Sequence, residues 1–186
     1  MDITDLALAT VTYKGWRDKD TSFWDDSLFE TYKYFPPPTK GSQAERLVAD
    51  LLERLGSSVP RKRDGSPQKP KGSSSDFDLY IDELKVEVKA STAWDGVIDS
   101  FTWQQIRSEQ EYDRVVFVGV NPNQVCAWWC TKADLDRHVF GRDEYRQHAG
   151  RNGNQELYWI KTSPDGDPST APPVLHWFRD VQTWND

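Results

Sequence analysis

Residues 76–90 read Asp76-Phe77-Asp78-Leu79-Tyr80-Ile81-Asp82-Glu83-Leu84-Lys85-Val86-Glu87-Val88-Lys89-Ala90, and their alternation decides the fold. Apolar residues recur at every second position on both sides of Asp82-Glu83. That period marks half-buried strands, and the acid pair between them is a turn, so a hairpin is predicted with strands near 77–82 and 84–90. Residues two apart on a strand share a face. Glu87 and Lys89 therefore point the same way with Val88 buried behind them, and a tight hairpin brings Asp78 back beside Glu87. Two carboxylates at one sheet edge form a hard-oxygen site that suits Mg2+, with waters and substrate oxygens completing its shell. A lysine beside them can orient an attacking water or stabilise charge on a phosphate. Asp76 shares a face with Asp78 and is the second candidate for the first acid. The rival reading of the Glu87-Val88-Lys89 triplet is a solvated strand face, whose surface ion pair is worth roughly 0–1 kcal/mol.

Upstream, Ala44, Leu47, Val48, Leu51, Leu52 and Leu55 recur at helical spacing, and Ser42 with Glu45 forms a capping-box pattern. The spacing predicts a helix over 42–55 that ends at Gly56. Residues 57–75, rich in Ser, Pro, Gly and base, predict a mobile loop. Downstream, residues 91–112 hold a loop and the run FTWQQIRSEQEYD, which stays open between helix and strand. RVVFVGV (114–120) is a buried strand, Asn121-Pro122-Asn123 a turn, and QVCAWWCT a strand completing a second hairpin. Thr131 caps a short helix, 141–155 is a polar loop, and ELYWIKT is a last strand before a Pro-rich tail.

The hairpin motif resembles the PD-(D/E)xK nuclease superfamily, the restriction-endonuclease-like fold. The resemblance rests on Asp78 at a strand start, followed by Glu87-Val88-Lys89 on the next strand, with Phe77 where the superfamily name has proline. It spans about residues 42–130, and it implies an α/β (α+β) core with a central mixed β-sheet flanked by helices. It implies that Asp78 and Glu87 hold the metal, that the Val88 carbonyl adds a ligand, and that Lys89 positions water for in-line attack. The helix in such proteins often supplies a further acid, for which Glu45 is the match, although an acid there also suits a helix start. Trp103-Gln104-Gln105-Ile106-Arg107 resembles the glutamine-bearing segment that follows the lysine in several such nucleases, with Gln105 preferred as the site residue. The implied activity is Mg2+-dependent hydrolysis of double-stranded DNA, with Mn2+ as a substitute, by a type II restriction endonuclease working as a homodimer. A junction resolvase, a repair or phage-defence nuclease, and a non-catalytic DNA-binding module are the alternatives.

The chain has 186 residues, 30 acidic and 23 basic, for a net charge of −7. That length predicts one domain, here 41–186, preceded by an aromatic-rich segment 1–40 that packs on the core or on a partner. With 37% apolar and 28% charged residues it is neither a disordered polymer nor a membrane protein. Acids at the start of the chain and two cysteines, Cys126 and Cys130, fit a reducing, cytoplasmic setting. Bulk acidity argues against coating DNA by charge, but the bases concentrate in two loops. Arg61, Lys62, Arg63, Lys69 and Lys71 lead into the hairpin and suit a phosphate backbone, as do Gln104 and Arg107 further on. Arg142, Arg146, Arg151, Asn152 and Asn154 carry the side chains that direct base readout uses. The charge thus favours a selective nuclease over a DNA-coating protein.

Overall fold

The computed structural model describes residues 3–10, 23–69, 76–93, 100–147, 156–162 and 177–186. In chain order these form α1 (Ile3–Thr10), α2 (Glu30–Lys33), α3 (Pro37–Arg54), β1 (Leu79–Ile81), β2 (Leu84–Thr92), β3 (Thr102–Arg107), β4 (Arg114–Val120), β5 (Val125–Thr131), α4 (Lys132–His138), β6 (Leu157–Lys161) and β7 (Arg179–Asp180). Five strands make a mixed sheet in the order β1-β2-β4-β5-β7, and β3 pairs with β6 as a separate two-stranded ribbon. The predicted mixed sheet flanked by helices is therefore present.

The β1–β2 hairpin is antiparallel with Leu79 opposite Val86 and Ile81 opposite Leu84. Its strands are shorter and longer than the sequence predicts, and Asp82 and Glu83 alone make the turn, at φ of 50° and 69°. Two left-handed residues in a two-residue loop match the right-handed twist of the strands they join. Asp82 is held there on both sides: its N–H donates to the Ser58 carbonyl at 2.9 Å, and its Oδ1 accepts from the Ser58 N–H at 2.6 Å. β2 then pairs parallel with β4, placing Glu87 opposite Val115 and Lys89 opposite Phe117. β4 and β5 form the predicted second hairpin, with Phe117 opposite Trp128. Thr131 caps α4 as predicted, and the structure adds a capping box with Asp134.

The helix before the hairpin corrects the sequence reading. It spans 18 residues from Pro37, not from Ser42, and its N-cap is Pro36 with no side-chain cap. A proline run reads as a helix barrier, yet the first helical turn has no use for the N–H groups that proline lacks. Ser42 and Glu45 consequently lie inside the helix and form no capping box. α3 buries Ala44, Leu47, Val48, Leu51 and Leu52 against β1 and β2.

The undecided segment 102–107 is a strand. Its apolar residues Trp103 and Ile106 are three apart, a spacing that suits a helix, but a β-bulge lies between them where β3 pairs with β6. The extra residue restores both side chains to the inner face, and both are fully buried. Gln105 sits in this bulge at φ 56°.

Many of the described aromatics lie in the core. Trp24, Phe29, Tyr32 and Phe35 from the N-terminal segment are buried in the same core as the sheet, and the Phe29 N–H donates to the Pro122 carbonyl at 3.0 Å. Trp103, Trp129, Trp177 and Trp184 are buried too. Cys130 is buried, Cys126 partly so, and both are free thiols. No helix among the described residues is long and apolar enough to cross a membrane.

Candidate active site

Asp78 and Glu87 meet as the hairpin requires, since the register that puts Leu79 opposite Val86 carries one residue further out to this pair. The Asp78 N–H donates to the Val86 carbonyl at 3.0 Å, and its Oδ2 accepts the Val88 N–H at 2.8 Å. The carboxylate is thereby clamped on the backbone of the strand that carries Glu87 and Lys89. The part this structure gives Val88 is that N–H, a contact that the sequence reading, which looked to its carbonyl, did not anticipate.

Glu87 is buried, and Lys89 Nζ lies 2.5 Å from its Oε1. Burial pushes the Glu87 carboxyl up to about 7, helped by the Asp78 charge and opposed by Lys89. Glu45 enters from α3. Its own proton affinity is raised by burial first and by Asp78 among the further causes, against a hydrogen bond from Lys69. Lys69 Nζ stands 2.6 Å from Glu45 Oε2. Three acids from a helix and a hairpin thus share one field with two lysines. The position of Glu45 inside α3 also removes the helix-start explanation for its charge.

No group of three or more Asp, Glu, His or Cys among the described residues closes into a metal-holding set. The donor chemistry that is present fits a lighter demand. Mg2+ is commonly held by one or two carboxylates, with water and phosphate oxygens supplying the rest. Asp78 and Glu87 offer that pair, and a divalent ion would favour the charged form of Glu87 against the burial, and the lesser repulsion from Asp78, that raise its proton affinity.

The basic loop is less free than its composition implies. Arg61 Nη2 reaches Asp50 Oδ1 at 2.7 Å and Glu53 Oε2 at 2.6 Å, and Arg61 Nη1 donates to the Gly65 carbonyl. An isolated bridge between Arg61 and Pro67 closes the loop on itself. Arg61 is a strut that ties residues 61–67 to α3, so the described part of the predicted mobile loop is anchored. Lys62 and Arg63 are exposed there, and Lys71 lies outside the described residues. In the second loop Arg142 donates to the Arg137 carbonyl, while Arg146 pairs with Asp143 and Glu156 at 3.4 and 3.5 Å. Arg151, Asn152 and Asn154 lie outside the described residues. Gln104 and Gln105 are exposed, and Arg107 is half-buried.

The sequence reading missed two contributors, Lys69 as the partner of Glu45 and Gln147 as the partner of the two glutamines. The Gln105 N–H donates to Gln147 Oε1 at 3.0 Å, and Gln147 Nε2 lies 3.4 Å from Gln104 Oε1. Neither pairing leaves a local signal, because each spans long sequence separation.

No protein-family model matches the sequence, and no curated protein matches it. Among solved structures the chain is similar to a bacterial homing endonuclease, with a TM-score of 0.45 and 16% identity over 81% of this chain and 89% of that one.

Proposed function

We propose that this chain is a metal-dependent endodeoxyribonuclease that hydrolyses phosphodiester bonds of double-stranded DNA. The observation that carries this reading is the Asp78, Glu87 and Lys89 constellation, in which two adjacent carboxylates and a lysine converge at the end of one hairpin. Asp78 and Glu87 would hold Mg2+, with Mn2+ as a substitute. When bound, the ion supplies positive charge to the phosphate oxygens as the bond breaks. Asp78 keeps its orientation through the Val88 N–H, and Glu87 keeps Lys89 beside it. The Lys89 ammonium orients the attacking water and steadies negative charge developing on the phosphate. Glu45 adds negative charge within the electrostatic reach of Asp78, with Lys69 bound to it.

In its finer form the proposal is sequence-specific cleavage by a type II restriction enzyme acting as a homodimer, since a symmetric site calls for a twofold protein. The test is incubation of phage and plasmid DNA with the protein in Mg2+, Mn2+ or EDTA, beside Glu87→Gln and Lys89→Met. Discrete fragments that disappear with EDTA and in both folded variants support the proposal. DNA retained on a gel but never cut would leave only a binding module. Sedimentation as a monomer both free and on DNA would remove the homodimer.

A further inference from the structure

We propose that the β3–β6 ribbon is the element that reads DNA sequence, laying its outer face in the major groove with Gln104 and Gln105 against base edges. The proposal takes its setting from the nuclease reading and adds to it the residues that set specificity.

The ribbon stands on the same face of the main sheet as the catalytic side chains. Lys89, Phe117 and Trp128 are in register across β2, β4 and β5, so their side chains share one face. Trp103 packs on that face, its ring centroid 5.2 Å from Phe117 and 5.9 Å from Trp128. The Thr102 N–H donates to Ser91 Oγ at 3.0 Å, and Ser91 is two residues beyond Lys89 on the same side of β2. With Trp103 and Ile106 turned inward, the opposite face of β3 looks away from the sheet and carries Gln104 and Gln105, both exposed.

The chemistry of that outer face matches one occupant. A two-stranded ribbon fits the major groove, and a glutamine amide offers the donor and acceptor that adenine presents there. The bulge puts two glutamines in succession where a regular strand would aim only one outward. Gln105 is held in the left-handed region, a cost that the N–H bond to Gln147 helps to offset. Among the described residues, the Gln105 side-chain amide makes no hydrogen bond, and Gln104 meets only Gln147. Positive charge flanks the amides. Lys161 lies opposite Thr102 with its Nζ 3.9 Å from the Trp159 ring centroid, and Arg107 lies opposite Leu157. Arg146 bridges to Tyr158 nearby, its charge shared with Asp143 and Glu156. In a chain of net charge −7, these bases supply phosphate contacts that fix register while the glutamines discriminate.

The test is selection of bound duplexes from a randomised library, in Ca2+ to prevent cutting, with the parent and with Gln104→Ala/Gln105→Gly. Glycine keeps the positive φ, and a thermal melt confirms that the variant is folded. The expected result is that the parent selects a motif and the variant loses preference at one or two positions while keeping the others. Its affinity for the preferred duplex should fall roughly 5- to 150-fold with non-specific binding unchanged. A variant that selects the parental motif at parental strength overturns the proposal, as does a parent that binds duplexes without preference. A changed oligomeric state in place of a changed motif would assign this face to contact between copies and also overturns it. Cleavage is scored separately with Lys89→Met. An indiscriminate nuclease sinks the ribbon reading alone, and a selective binder that never cuts sinks the nuclease reading alone.

Discussion

Lys69 Nζ lies 2.6 Å from Glu45 Oε2, joining the basic loop to α3 at the edge of the candidate site. The lysine side chain is half exposed while the glutamate is largely covered, so the contact shields a carboxylate that burial would otherwise leave protonated more readily. Lys69→Met should therefore raise the Glu45 titration midpoint above that of the parent. Carboxyl-resolved NMR titration measures it, and an unmoved midpoint would mean that the pair does not persist in solution.

Asp78 has a structural duty separable from its charge. Asp78→Asn keeps an oxygen for the Val88 N–H, whereas Asp78→Ala leaves that half-buried donor unpaired. Urea unfolding should show the alanine variant about 1–3 kcal/mol less stable and the asparagine variant close to the parent. Both should fail to cut DNA if the carboxylate holds the metal. Mg2+ should likewise raise the melting temperature of the parent and of neither variant.

Gly119 is required by a close approach. A β-carbon there would lie 2.7 Å from the fully buried Phe101 ring. Gly119→Ala should cost about 1–3 kcal/mol through overpacking. Adding Phe101→Leu should recover part of that loss, seen as favourable coupling in a double-mutant cycle. Purely additive losses would show that the ring does not stand over the glycine.

Lys40 supplies a pH-dependent test outside the site. Burial, together with Lys33, lowers its pKa to about 8. Between that value and the ordinary lysine range of about 10.4, the unfolded chain holds a proton that the folded protein has released. This residue's contribution to stability therefore rises with pH across that window. The stability difference between the parent and Lys40→Met should shift in the parent's favour over the same interval, as followed by denaturant unfolding. A flat difference would place Lys40 in solvent.

Legibility followed sequence separation. The hairpin, its turn, the Glu87 and Lys89 face and the Thr131 cap all depend on neighbours a few residues away, and each stands where alternation and capping chemistry put it. The start of α3 is also local, but Pro36-Pro37-Pro38 is ambiguous, since proline bars a helix interior and favours its first turn. For residues 102–107 periodicity could not decide, because a single bulge residue converts a strand's spacing into a helix's.

By itself the sequence determined the local strand, turn and helix propensities, and with them the meeting of Asp78 and Glu87 across a two-residue turn. Only the tertiary structure decided the parallel pairing of β2 with β4, the pairing of β3 with β6, and the placement of that ribbon on the Lys89 face. It also decided that Arg61 grips Asp50 and Glu53 and that Lys69 grips Glu45. The physical reason is that such contacts are selected by burying apolar surface and matching charge between distant segments. The residues on either side carry no mark of their partner until the whole core has formed.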